Sequence, residues 1–213
     1  MQIKEFMFKP KEFKHPEQAE VEKSERFYMK RLSELGYINR DEESYSKLAN
    51  YFGRYYLGIR HNVRNHDIEY DKPKKGLFLF GNTGSGKTMA IQIFAKIFGI
   101  DFFYADDLAR IYAIDGERYF WSYVNQYEDN DIIIDDLGSE REVKNYGNTT
   151  PFVDFLYKRE RIYKDNHVLT HFTTNAVSRE VLIKKYGDRV VSRLLGMCEF
   201  IRINAPDARI VKI

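Results

Sequence analysis

Leu77-Phe78-Leu79-Phe80-Gly81-Asn82-Thr83-Gly84-Ser85-Gly86-Lys87-Thr88 runs from an apolar tetrapeptide into an octapeptide that fills G-x-x-x-x-G-K-[ST] at every fixed position. The stretch after it, Met89 to Phe98, is helix-forming, so the pattern reads strand, loop, helix. Gly81, Gly84 and Gly86 allow backbone conformations that a Cβ would forbid. The N–H groups of Gly81, Asn82, Thr83, Gly84, Ser85, Gly86, Lys87, Thr88 and Met89 are then the candidates to surround a phosphate chain. The positive end of the following helix dipole adds to the same spot. Lys87 is placed to reach the β- and γ-phosphates, and Thr88 to set its hydroxyl on Mg²⁺. A glycine turn with no ligand would need neither Lys87 nor Thr88.

Downstream, Ile132-Ile133-Ile134 is followed by Asp135-Asp136. A buried parallel strand reads as an unbroken apolar run. Acids at its C-terminal end project into the crevice where α/β folds bind ligands. Asp135 suits the Mg²⁺ shell, and Asp136 suits polarising a water against the γ-phosphate. Glu140 is a weaker candidate for the same work. On its own, an Asp-Asp pair reads as a solvated turn; the phosphate loop upstream favours the functional reading. Val168 to Thr173 predicts another strand, lying between the other two, that carries Asn175 at its end to a γ-oxygen or the attacking water. Arg189 and Arg193 are four residues apart and share one face of a predicted helix. They read either as surface arginines or as groups presented to a neighbour's γ-phosphate.

Upstream, residues 1 to about 16, with Pro10 and Pro16, read as an arm. Glu17 to Leu35 reads as a helix ended by Gly36, and a second helix runs from Ser44 to about Leu57. Leu48, Tyr51, Phe52, Tyr55 and Tyr56 form an aromatic stripe along it, either core packing or a partner surface. His61 to Lys75 is polar. Further strands are expected at Phe102 to Tyr104 and Phe200 to Ile203. Further helices are expected near Asp106–Ala113, Arg118–Tyr127, Pro151–Tyr163 and Arg179–Tyr186. Strands separated by helices imply an α/β protein with a parallel sheet between helical layers.

The chain has 213 residues, 43% apolar and 31% charged, with a formal net charge of +2. That charge does not announce a nucleic-acid binder, although Arg141, Lys144, Lys184 and Lys185 are basic residues near the motifs. The single cysteine, Cys198, excludes an intrachain disulfide and a Cys-rich zinc site and fits a reducing compartment. No run of about 18 apolar residues and no secretory signal pattern is present, so a cytoplasmic protein without membrane contact is expected.

These elements, in this order, resemble an AAA+ ATPase, more narrowly the DnaC/IstB-type group of helicase loaders and transposon ATPase helpers. The matching pieces are Gly81–Thr88, Ile134-Asp135-Asp136-Leu137-Gly138-Ser139-Glu140, Thr173-Thr174-Asn175, Tyr186-Gly187-Asp188-Arg189 with Ser192-Arg193-Leu194, and Pro206-Asp207-Ala208-Arg209. Ala105-Asp106-Asp107-Leu108 sits where the group has a helix after its second strand. The likeness covers roughly residues 42 to 210. It implies a P-loop NTPase three-layer sandwich whose sheet of about five strands has the order 5-1-4-3-2. It also implies ATP as the nucleotide with Mg²⁺, Asn175 as the sensor-1 residue, and Arg193 as an arginine finger acting in trans with Arg189 nearby. The implied partner is a replicative helicase or a transposase, with single-stranded DNA and a homo-oligomer when ATP-bound. Residues 1–40 are then a partner-binding arm and helix, and 41–213 the ATPase core, with no C-terminal helical lid. Asp136 stands where many AAA+ proteins have Glu, which implies slow hydrolysis. An IstB-like transposition helper, an ATP-gated adaptor with negligible hydrolysis and a small-molecule phosphotransferase are the alternatives.

Overall fold

Residues 12–14, 18–34, 41–64, 68–70, 73–140 and 151–207 are described by a computed structural model of the chain. In chain order they form β1 (Glu12–Lys14), α1 (Gln18–Glu34), α2 (Glu42–Arg64), β2 (Ile68–Tyr70), β3 (Gly76–Gly81), α3 (Lys87–Phe98), β4 (Asp101–Tyr104) and α4 (Ala105–Val124). A 3₁₀ turn (Asn125–Tyr127) leads to β5 (Ile132–Asp135), α5 (Pro151–Asn166), β6 (Thr170–Thr174), α6 (Arg179–Tyr186), α7 (Asp188–Met197) and β7 (Cys198–Ile203).

The five central strands pair in parallel in the order β4-β5-β6-β3-β7. Numbered from β3 as the first, this is the expected 5-1-4-3-2 read from its other edge. The apolar runs explain why the sheet is covered on both sides. Side chains alternate across a strand, so Leu77, Leu79 and Ile133 enter one core, and Phe78, Ile132 and Ile134 enter the other. The first core is closed by α2 and α3, with Phe52 and Phe94 stacked at 4.6 Å between ring centres. The second is closed by α4, α5, α6 and α7 through residues such as Phe120, Phe155 and Leu194. The aromatic stripe of α2 is therefore core: Leu48, Tyr51, Phe52 and Tyr55 are buried, and Tyr56 sits at the rim.

α1 adds Tyr28 and Leu32, one helical turn apart, to the first core, where the Tyr28 ring meets Phe52 edge-on at 5.7 Å. Two local readings differ from the structure. α2 continues to Arg64 rather than ending near Leu57, because Ile59 to Arg64 contains neither Gly nor Pro to stop it. The N-terminal arm and the polar segment before β3 are not wholly irregular, since β1 and β2 pair in parallel. Each of these strands is three residues long, too short to give a periodic signal. The two helices expected on either side of Asp115 are both present within the α4 span, separated by non-helical backbone at Gly116 with φ 80° and ψ 173°. That conformation is one only glycine adopts readily.

Candidate functional site

The phosphate loop leaves β3 at the sheet's C-terminal edge, where Gly81 pairs with Ile203 of β7. Gly84 and Gly86 have φ of 77° and 95°, which bends the loop back before α3 begins at Lys87. Lys87 is buried. Its Nζ donates to Gly81 O at 2.9 Å, Asn82 O at 2.8 Å and Ser85 Oγ at 3.4 Å. The ammonium thus holds both limbs of its own loop. From the other side, the Tyr45 hydroxyl of α2 donates to Ser85 O at 3.3 Å. Met89 is largely exposed at the start of α3.

Asp135 ends β5 and is buried. The register that pairs Ile134 with Phe172 sets it beside Thr173. The Thr173 hydroxyl donates to Asp135 Oδ1 at 2.5 Å and accepts the Asp136 N–H at 2.9 Å. Burial pushes the Asp135 carboxyl up from its ordinary range. Hydrogen bonds from Thr173 and Thr88 and the charge of Lys87 pull it back, while the charge of Asp136 adds to the rise. Thr88 and Asp135 therefore lie near one another, an all-oxygen pair suited to a hard cation that takes its remaining ligands from phosphate and water. Asp136 takes φ 58°, a left-handed conformation that Asp tolerates better than most residues. Asn175, just past β6, donates its amide to Asp136 Oδ1 at 2.5 Å.

Lys87, Thr88, Asp135, Asp136 and Asn175 meet at one end of the sheet. Arg193 does not join them. It lies with Arg189 on the exposed face of α7, opposite the buried Val190, Val191 and Leu194. Its Nη1 donates to Glu160 Oε2 of α5 at 2.5 Å, and its guanidinium lies 4.9 Å from the centre of the Tyr157 ring.

Glu140 is buried and committed elsewhere. Its carboxylate accepts the Tyr186 hydroxyl, the Gly138 N–H at 2.8 Å and an ion pair from Lys185 at 3.1 Å. Burial and then the Glu140 charge push the Tyr186 phenol well up. Lys185 also donates to the carbonyls of Gly138 and Glu140, so this lysine ties the loop after β5 to α6. Arg141 and Lys144 lie outside the described residues, as do Ala208 and Arg209.

Two residues at the site carried no sequence signal of their own role. Thr173 bridges the two aspartates, a job that only the register of β5 against β6 reveals. Asp207 comes back over the phosphate loop after β7. A Cβ placed on Gly84 would lie 1.9 Å from Asp207 Oδ1, so the carboxylate rests directly on that glycine. The returning segment is pinned by Asn204 N donating to Asp41 Oδ2 and by Ser44 Oγ donating to Arg202 O, each at 2.6 Å.

No protein-family model matches the sequence, and no curated protein matches it significantly. Solved structures do. A putative primosome component from Streptococcus pyogenes serotype M3 superposes with a TM-score of 0.52 at 16% identity, over 79% of this chain and 84% of its own. DnaI superposes at 0.53 with 18% identity, over 76% of this chain and 86% of its own. The DnaC helicase loader gives 0.48 at 23% identity, over 76% and 91%. The chain shares the P-loop NTPase fold of DnaI and the primosome component. Among the described residues no helix is long and apolar enough to cross a membrane.

Proposed function

We propose that this chain is an ATP-binding and ATP-hydrolysing AAA+ protein of the DnaC/IstB-type group, acting in DNA replication as a DnaC-like helicase loader. The observation that carries the reading is the meeting of Lys87, Thr88, Asp135, Asp136 and Asn175 around a glycine loop at one end of the sheet. A strand-to-helix turn needs none of these five groups. Lys87 Nζ, now on loop carbonyls, is the donor that a triphosphate would draw to its β- and γ-oxygens, and the N–H groups of Gly81 to Met89 would hold the remaining oxygens. Thr88 and Asp135 would hold Mg²⁺, which when bound neutralises charge between the terminal phosphates. Asp136, aimed by Asn175, accepts the proton of the attacking water. Arg193 acts on a neighbouring subunit's nucleotide, which makes hydrolysis depend on assembly. Residues 1–40 are the proposed region that engages a replicative helicase, and single-stranded DNA is a proposed ligand of the assembled form.

The adaptor reading, in which ATP state alone gates partner capture, draws on the Asp136 side chain. Its Oδ1 is already engaged by Asn175, and Asp is a shorter reach than Glu. One experiment separates the two. ATP turnover per chain is measured against protein concentration, with and without single-stranded DNA. The loader reading expects turnover to rise with concentration. It expects Asp136→Asn to keep ATP binding while losing about 10²–10⁴-fold in rate, the usual worth of a positioned general base. Asp136→Asn with parental turnover, alongside full partner capture, favours the adaptor. DNA contact is checked by the slope of affinity against salt, which is steep when phosphates are neutralised.

A further inference from the structure

Arg193 stands on a half-exposed helix face, where a long side chain has many rotamers available. An arginine that must meet a phosphoryl group on another subunit loses that freedom on assembly. The structure removes much of it beforehand. Glu160 of α5 takes Nη1 of Arg193 at 2.5 Å, and the Tyr157 ring, one turn earlier on the same helix, lies 4.9 Å from the guanidinium carbon. A ring face and a carboxylate together fix both the plane and the rotation of the guanidinium. Glu160 is itself held: its side chain is only 9% exposed and its carboxylate also pairs with Lys164. Beside it, a cleft of about 650 Å³ opens between α5 and α7, lined by Lys164, Arg189, Ser192 and Arg193 among others. Arginine fingers are effective because they are pre-placed where charge develops.

We propose that Glu160 is a positioning residue: it orients Arg193, over the Tyr157 ring, for a phosphoryl group brought to the α5–α7 cleft by a second copy of this chain. This inference rests on the reading of Arg193 as a trans-acting finger. The guanidinium needs a single donor for Glu160 and keeps the rest of its planar fork for the incoming oxygens. Lys164 shares the Glu160 charge, so the carboxylate aims the arginine without wholly neutralising the cleft.

The test is a double-mutant cycle on the full chain at a protein concentration where turnover has saturated. The parent, Glu160→Gln, Arg193→Ala and the double variant are compared for kcat and KM. Each isolated chain is checked for ATP affinity and melting temperature. Glu160→Gln is expected to lower kcat about tenfold with KM within about twofold, and to cost nothing further in the Arg193→Ala background. An equal fall in both backgrounds, or parental kcat for Glu160→Gln, overturns the positioning role while leaving the finger intact. Parental kcat for Arg193→Ala overturns the finger and the positioning role together. Should Glu160→Gln melt at a lower temperature than the parent, Tyr157→Leu takes its place in the same cycle with the same expected pattern.

Discussion

Asp131 and Asp135 bracket the four-residue strand β5, and they illustrate what separates the two ends of this sheet. At the N-terminal end, Asp131 accepts the Tyr55 hydroxyl at 2.6 Å and the Leu169 N–H at 2.8 Å. Arg159, fully buried beside it, donates to Thr170 Oγ1 and to the carbonyls of Tyr127, Asn130 and Leu169, within 2.8–3.2 Å. Its pKa is lowered by burial to about 10, so it remains a cation at neutral pH. This end is a closed network tying α2, α5 and the turn after α4 to the sheet. At the C-terminal end the bonds are ones that a ligand can replace: Lys87 on loop carbonyls, Thr88 on Asp135, Asn175 on Asp136. One end is built to stay as it is, and the other to exchange partners.

Breaking the closed end should have the largest effect on stability. Arg159→Ala leaves several buried acceptors without a donor and is expected to cost about 3–5 kcal/mol, read as a large fall in urea midpoint with unchanged slope. A change under about 1 kcal/mol would mean that the closed end is not holding the layers together.

Asp135→Asn should show the opposite balance. It removes a charge that burial disfavours, so the melting temperature should hold or rise, while Mg²⁺-dependent turnover falls about 100-fold or more. Asp131→Ala should lower the melting temperature by the equivalent of about 1–3 kcal/mol and leave turnover near parental at temperatures well below melting. If both aspartates behaved alike in the two assays, the contrast between the sheet ends would not stand.

The same carboxylate gives a pH signature. A folded-state pKa raised above 3.8 means that Asp135 contributes most to stability when protonated. Its contribution is lost as pH rises through its folded pKa. Equilibrium unfolding of parent and Asp135→Asn from pH 4 upward should therefore show the parent losing stability relative to the variant as pH rises. A difference independent of pH would place Asp135 in a more solvated setting than the geometry does.

The smallest effect belongs to Asp207. Its carboxylate on Gly84 faces the loop that a polyanion must approach. Asp207→Asn should tighten ATP binding by about threefold to tenfold, on the order of 1 kcal/mol for one charge at close range near water. Weaker binding would make Asp207 a ligand contact rather than a repulsive one.

The contrast between the two ends also explains what the sequence disclosed. The ligand-exchanging end was legible because its chemistry is local. Gly84, Gly86, Lys87 and Thr88 are adjacent in sequence, and Ile132 to Ile134 announces the strand that presents Asp135 and Asp136. The alternation of apolar runs and helices disclosed a parallel sheet, whereas the order of its five strands came only with the family resemblance. Arg159 and Asp131 were not legible, because nothing local distinguishes a buried arginine on α5 from an exposed one, and its partners lie 10 to 32 residues away. Glu140 was legible only as a nearby acid, since its partner Tyr186 is 46 residues on. Asp207 reaches Gly84 through the β3–β7 pairing, which no periodicity encodes.

Isothermal titration of the full chain with ATP in the presence of Mg²⁺, parent against Lys87→Ala, tests the central claim most directly. The account predicts saturable binding near one nucleotide per parent chain. It predicts a loss of about 10–100-fold for Lys87→Ala, the worth of charge-assisted hydrogen bonds at about 1.5–3 kcal/mol. A folded parent that takes up no ATP, or a Lys87→Ala variant that binds as tightly as the parent, would contradict it.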